Sequence, residues 1–174
     1  MTFDKVGKPQ IWGAAFMAVA MAIVVGTALG FEHIGGFVPC KLCLEQRQPY
    51  YLGVPIALLA LIGGLLRWPT IVVRGGLIVV GLLMAYGVVL SIYHSGVEWS
   101  WWMGPADCST SSTTGITTDA TNLLGALDDI TPPSCDEAAG RFLGLSFAGW
   151  NVIASLFLTA ASFKAAFARI QLSN

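Results

Sequence analysis

Four long apolar stretches dominate the chain: Ile11 to Phe31, about Pro49 to Leu66, Ile71 to about His94, and Phe142 to Phe163. Each approaches the roughly 20 residues that an α-helix needs to cross about 30 Å of hydrocarbon. A soluble reading would have to bury all four in a 174-residue chain with only 11% charged residues. Soluble domains carry roughly 25%. With 55% hydrophobic residues and a mean hydropathy of +0.71, most of the surface must face something other than water. The fold expected is therefore an all-α integral membrane protein. It is a single four-transmembrane-helix bundle over 1–174, with spans at about 11–31, 49–66, 71–94 and 142–163. Two extracytoplasmic loops follow, at about 32–48 and 95–141. A net charge of -1 supplies no basic field for nucleic acid.

Charge fixes the expected orientation. An even number of spans puts both termini and the link Arg67–Thr70 on one side. That side holds Lys5, Lys8, Arg67, Arg74, Lys164 and Arg169, six of the nine Lys and Arg residues. Lys41, Arg47 and Arg141 lie on the other. The positive-inside rule then makes the termini cytoplasmic. A signal peptide is the competing reading of 11–31, but the stretch exceeds the usual 7–15-residue core and lacks a small-residue cleavage site.

All four cysteines fall in the outer loops: Cys40 and Cys43 in the short one, Cys108 and Cys135 in the long one. Free cysteines are commonly buried like small hydrophobes, so chance would have put some in the spans. An oxidising compartment outside the membrane accounts for the segregation. The long loop also carries Trp99, Trp101 and Trp102, which suit the headgroup layer. Ser109–Thr118 reads as irregular. Ile116, Ala120, Leu123, Leu124, Leu127 and Ile130 repeat at helical spacing, as a surface-lying amphipathic helix or a loop helix packed on the bundle would. Within the spans, Gly26 and Gly30 have the GxxxG spacing of close helix approach, and Asn151 and Ser155 can hydrogen-bond between helices.

Two residues between Cys40 and Cys43 make a loop that opens and closes readily, as redox-active dithiols require. The pair precedes the second span, whose positive N-terminus favours thiolate. Arg47, four residues after Cys43, falls about one helical turn further on if the helix has begun by then, and a fixed positive charge there can lower a thiolate pKa or stabilise a reduced quinone. A static staple and a zinc site built from the four cysteines remain alternatives at this point. No second CxxC supports zinc, and so short a loop gains little from a cross-link. In a relay, one thiolate attacks another disulfide. The last dithiol then needs a two-electron acceptor, and a quinone dissolved in the bilayer is beside it.

With these features together, the chain resembles the DsbB family of bacterial inner-membrane disulfide-generating proteins. The likeness rests on the four spans, the CxxC with Arg47 four residues on, Cys108 and Cys135 in the second outer loop, Tyr93-His94, and Phe142-Leu143-Gly144-Leu145. It implies a thiol–quinone oxidoreductase that reoxidises a DsbA-like periplasmic thiol oxidase and passes electrons to ubiquinone or menaquinone. By the same resemblance Cys108 forms the mixed disulfide with that partner, and Cys135 exchanges with Cys40. Cys43 faces the quinone as an adduct or charge-transfer pair, Arg47 lines the quinone site, and His94 lies near it. No metal is implied. The family arginine follows an acidic residue, where this chain has Gln46, and Glu45 receives no role. Vitamin K epoxide reductases, also quinone-linked, carry their CxxC near a late span, an order this chain does not follow.

Overall fold

The computed structural model describes residues 6–105, 135, 138 and 140–168. Cys108 and the segment 109–130, with its irregular and amphipathic stretches, lie outside the described residues. Among those described, four helices are long and apolar enough to cross a membrane: α1 Lys8–His33, α2 Lys41–Leu65, α3 Thr70–Glu98 and α4 Phe147–Phe167. Each packs on its neighbour in sequence, α4 closes on α1, and α1 and α3 barely touch across the diagonal. The result is an all-α membrane bundle. Its centre is apolar, with alanine and methionine prominent: Ala14, Met17 and Met21 of α1 meet Ala57 of α2, Leu77, Val80 and Met84 of α3, and Leu158 and Ala166 of α4. Trp12, Ile71, Val89 and Phe157 point outward and are exposed. Apolar surface of that extent would be untenable in water and is ordinary against lipid.

Local chemistry sets the helix ends. Cys40 caps α2 in extended conformation, its sulfur accepting from the Cys43 N–H. Ser146 caps α4, accepting from the Gly149 N–H. Arg67 and Ser100 adopt left-handed conformations (φ 59° and 57°) where α2 and α3 stop. In each case two backbone N–H groups fold back onto the last turn, which satisfies carbonyls that would otherwise be orphaned.

Two boundaries differ from the sequence expectation. The second helix begins at Lys41, ahead of Pro49, because Gln46, Arg47 and Gln48 are polar yet helical. The fourth begins at Phe147, after a small antiparallel hairpin that pairs β1 (Arg141–Phe142) with β2 (Leu145–Ser146). Leu143 and Gly144 both have positive φ (53° and 83°), the two-residue turn that matches strand twist. The apolar run Phe142–Leu145 is thus a turn over the end of the bundle and not part of the span.

Gly26 and Gly30 are not points of close approach: a Cβ at either would meet nothing within 4 Å. Gly13 is such a point, where a Cβ would stand 2.3 Å from Cβ of Ala165 on α4. Alanine gains roughly 0.5–1 kcal/mol of helix propensity over glycine, but overpacking typically loses roughly 1–3 kcal/mol. The Gly13→Ala protein should therefore melt at lower temperature in detergent. An unchanged or higher Tm would show that α1 and α4 separate easily.

The two ends of the bundle differ. At one, the Gln10 side-chain amide donates to the Ala168 carbonyl at 2.9 Å, and Arg74 donates to the same oxygen at 3.3 Å. The start of α1 and the end of α4 are tied there, near the α2–α3 turn. At the other end are the CxxC, the hairpin and the tryptophans. Trp102 stacks on Tyr93 and donates its indole N–H to the Tyr93 carbonyl at 2.8 Å, so one ring of that cluster clamps the end of α3.

A candidate dithiol site beside a membrane cavity

The helical start at Lys41 gives the two short-loop cysteines different surroundings. Cys40, the cap, is 3% exposed and packs with Leu42, Val97 and Cys135. Cys43, one turn into α2, packs against the same cluster and also lines a cavity of about 540 Å³. The two sulfurs are 3.0 Å apart and both are free thiols. Cys135 is disulfide-bonded and buried in the same cluster as Cys40. That bond removes it as a thiolate ligand, so the four-cysteine zinc site considered from spacing is not assembled.

The cavity lies between α1, α2, α4 and the hairpin. Its walls are apolar and aromatic: Ile23, Val24 and Phe31 of α1, Phe37 beyond it, Phe142 of the hairpin, and Phe147 and Trp150 of α4. Phe31, Phe37 and Phe147 pack against one another with ring centroids 5.0–6.0 Å apart. The indole of Trp150 donates to the Phe142 carbonyl at 2.9 Å, which ties the hairpin to α4 beside the cavity. Polar groups gather on the α2 side: Cys43, Gln46, Arg47 and Tyr50, with Glu32 and Asn151 opposite. This combination of apolar walls and a few convergent polar groups is the usual form of a small-molecule site, and the volume is within the common range.

Arg47 lines the cavity, as its spacing from Cys43 predicts, but its charge is not free. Its guanidinium pairs with the Glu32 carboxylate at the end of α1. Sequence reasoning missed Glu32, although an acid at the last turn of an apolar span is itself a signal. His94 does not line the cavity. It is buried behind Cys40, with Nε2 3.6 Å from Cys40 Sγ and 3.8 Å from Glu98 Oε1, and Nδ1 2.8 Å from Gln46 Nε2. Beyond Gln46, polar contacts continue inward through Asn151, Ser91, Tyr50 and Ser155. The interhelical bonds expected of Asn151 and Ser155 are present, and Gln46 and Tyr50 are the partners the sequence did not reveal.

The surroundings of Cys40 favour its thiolate. The Cys43 S–H points at it, burial opposes, and the His94 ring and the Cys43 backbone N–H add to the first effect; together they bring its pKa down to about 4. A thiol usually titrates near 8.5. In the reduced protein, thiolate ultraviolet absorbance should therefore persist from neutral pH through 5 and disappear only as pH falls through about 4. The linkage has a definite sign: the folded pKa is depressed, so this contribution to stability is complete above the ordinary thiol pKa and lost as pH falls. Absorbance that titrates near 8 or above would show that these hydrogen bonds do not form.

Residues 10–165 match the family model described as Disulfide bond formation protein DsbB. A protein of Rickettsia prowazekii (strain Madrid E), named Uncharacterized protein RP370, is 29% identical over 161 residues, covering 91% of this chain and 89% of that protein. No solved structure matches the chain.

Proposed function

Because the chain belongs to the DsbB family, and is thus a membrane oxidoreductase of disulfide bond formation, we propose that it reoxidises a DsbA-like thioredoxin-fold protein and delivers the electrons to a membrane quinone. The observation that carries this reading is the division of labour across 3.0 Å of the CxxC: Cys40 is packed with Cys135, while Cys43 faces the cavity.

The partner's thiolate attacks Cys108 and releases Cys135 as a thiolate. Cys135 attacks Cys40 of the oxidised CxxC, forming a Cys40–Cys135 bond and releasing Cys43. Cys43 is thereby reduced at the cavity wall. A quinone bound there supplies the two-electron sink. The cavity fits such a ring: aromatic walls for its faces, and a thiol and a guanidinium at one edge for its reacting carbonyl end. Arg47 orients that end, and Glu32 holds Arg47 in place. The partner's second thiolate closes the partner's own disulfide and releases Cys108, which attacks Cys135 to restore Cys108–Cys135 and expels Cys40 as a thiolate beside Cys43. The Cys40/Cys43 dithiol then holds the electron pair, and giving it up to the acceptor re-forms Cys40–Cys43. In balance, a dithiol loses two electrons and two protons, and a quinone gains both to become a quinol.

This chemistry needs the cysteine end in an oxidising compartment. The Lys and Arg distribution supports termini in the cytoplasm and the CxxC facing the periplasm of a bacterial inner membrane. Purified protein with ubiquinone or menaquinone should oxidise a reduced DsbA-like substrate catalytically. Arg47→Gln should raise KM for quinone by roughly tenfold, the loss of about 1.4 kcal/mol in a charge-assisted contact, and leave KM for the protein substrate nearly unchanged. Equal effects on both would remove Arg47 from the quinone site.

A further inference from the structure

The polar groups behind Cys40 form a chain whose direction is fixed at one end by the backbone. Ser91 Oγ is 2.7 Å from the Gly87 carbonyl. A carbonyl only accepts, so the Ser91 hydroxyl spends its proton there and has only lone pairs to offer elsewhere. Its other neighbour is the Asn151 side-chain amide at 2.7 Å, which must therefore present nitrogen to it. The same nitrogen then donates its second proton to Gln46 Oε1 at 3.0 Å. Asn151 Oδ1 is left to accept from the Tyr50 hydroxyl at 2.7 Å. With its oxygen committed to Asn151, Gln46 turns its nitrogen toward His94 Nδ1 at 2.8 Å. An amide nitrogen can only donate, so Nδ1 must be the acceptor.

We propose that Gln46 and Asn151 are positioning residues that set the tautomer of His94, so that His94 presents Nε2–H to Cys40 as a hydrogen-bond donor rather than a base. The other side of the ring agrees independently. The polar neighbours of Nε2 are Cys40 Sγ at 3.6 Å and Glu98 Oε1 at 3.8 Å, and both are acceptors when ionised. The second oxygen of Glu98 is buried without a partner among the described residues, which leaves the carboxylate free to turn toward that proton. Of the titratable groups around Cys40, Cys43 donates from α2, and His94 and Glu98 face the pair from α3. Cys135 does not titrate while disulfide-bonded. The consequence for the reaction is that the Cys40 proton leaves by another route and His94 holds the sulfur as an anion or leaving group. The inference rests on reading Cys40 as redox-active, yet its test needs neither quinone nor partner.

Nitrogen-15 NMR of histidine-labelled protein reads the tautomer directly. The chain has two histidines, and His33→Gln assigns the signals. The expected result is a protonated Nε2 and a bare Nδ1 on His94. Gln46→Glu replaces the donor by a carboxylate and should move a proton onto Nδ1. A second pair of variants tests the donor role by thiolate absorbance. His94→Gln keeps an N–H near the Nε2 position and should leave the Cys40 midpoint near that of the parent. His94→Leu should raise it by about one pH unit. A wild-type Nδ1–H form would overturn the proposal, as would Gln46→Glu leaving Nδ1 bare. So would His94→Gln and His94→Leu titrating alike. Failure of quinone turnover with the tautomer intact would instead count against the function proposed above.

Discussion

Cys43→Ser should abolish quinone-dependent oxidation of a protein dithiol, a fall of about a thousand-fold or more, as expected when one member of a unit that acts together is removed. The loss should be specific in kind. Among the described residues Cys43 is the only sulfur on the cavity wall, so its removal leaves no dithiol able to deliver an electron pair there. Serine nearly preserves the volume, and the Cys43 backbone N–H still caps α2 through Cys40. Stability should therefore change little while turnover disappears. Cys40, released from its partner 3.0 Å away, retains Cys135 as a buried neighbour. The variant should accumulate a Cys40–Cys135 cross-link on exposure to a disulfide reagent, visible as fragments that stay joined after cleavage between Trp99 and Cys108, which keeps Cys108 and Cys135 on one fragment, and that separate on reduction. Measured turnover within tenfold of the parent would mean that electrons leave by another sulfur.

Much of this arrangement is legible in the residues because the bilayer imposes strict rules. Spans of about 20 apolar residues can be read directly, and so can the segregation of cysteines from them. Arg47 is legible because one helical turn from Cys43 brings it to the same wall. Hydropathy misplaces the start of α2 for an identifiable reason. Gln46, Arg47 and Gln48 look like loop, but Gln46 and Arg47 are helical residues whose polar groups are satisfied by His94, Asn151 and Glu32, from three other helices. The partners are distant in sequence, and no local pattern announces them. The hairpin at 141–146 is hidden in the opposite way, since Phe142, Leu143 and Leu145 are apolar enough to pass for membrane span. Only the positive φ at Leu143 and Gly144 reveals the turn.

The buried polar layer also makes Asn151 the most sensitive position for stability. Its amide contacts Gln46, Ser91 and Tyr50, which belong to α2, α3 and α2, while Asn151 itself is on α4. Leucine has similar bulk and would fit the apolar surroundings, so transfer energy favours the substitution. Against it stand three groups left short of a partner. A buried polar group left unsatisfied costs about 1–3 kcal/mol, whereas interhelical hydrogen bonds in membranes average only about 0.6 kcal/mol each. Tyr50 keeps its Ser155 contact at 2.8 Å and Ser91 keeps the Gly87 carbonyl. Gln46 is the group that loses most, because its oxygen has no other hydrogen-bond partner among the described residues. The net expectation for Asn151→Leu is a loss of about 2 kcal/mol, read as lower resistance to unfolding in mixed micelles. Asn151→Ala would add a cavity and lose more. If the leucine variant were as stable as the parent, the layer would be held by packing alone, and the fixed direction of its hydrogen bonds would have no energetic basis.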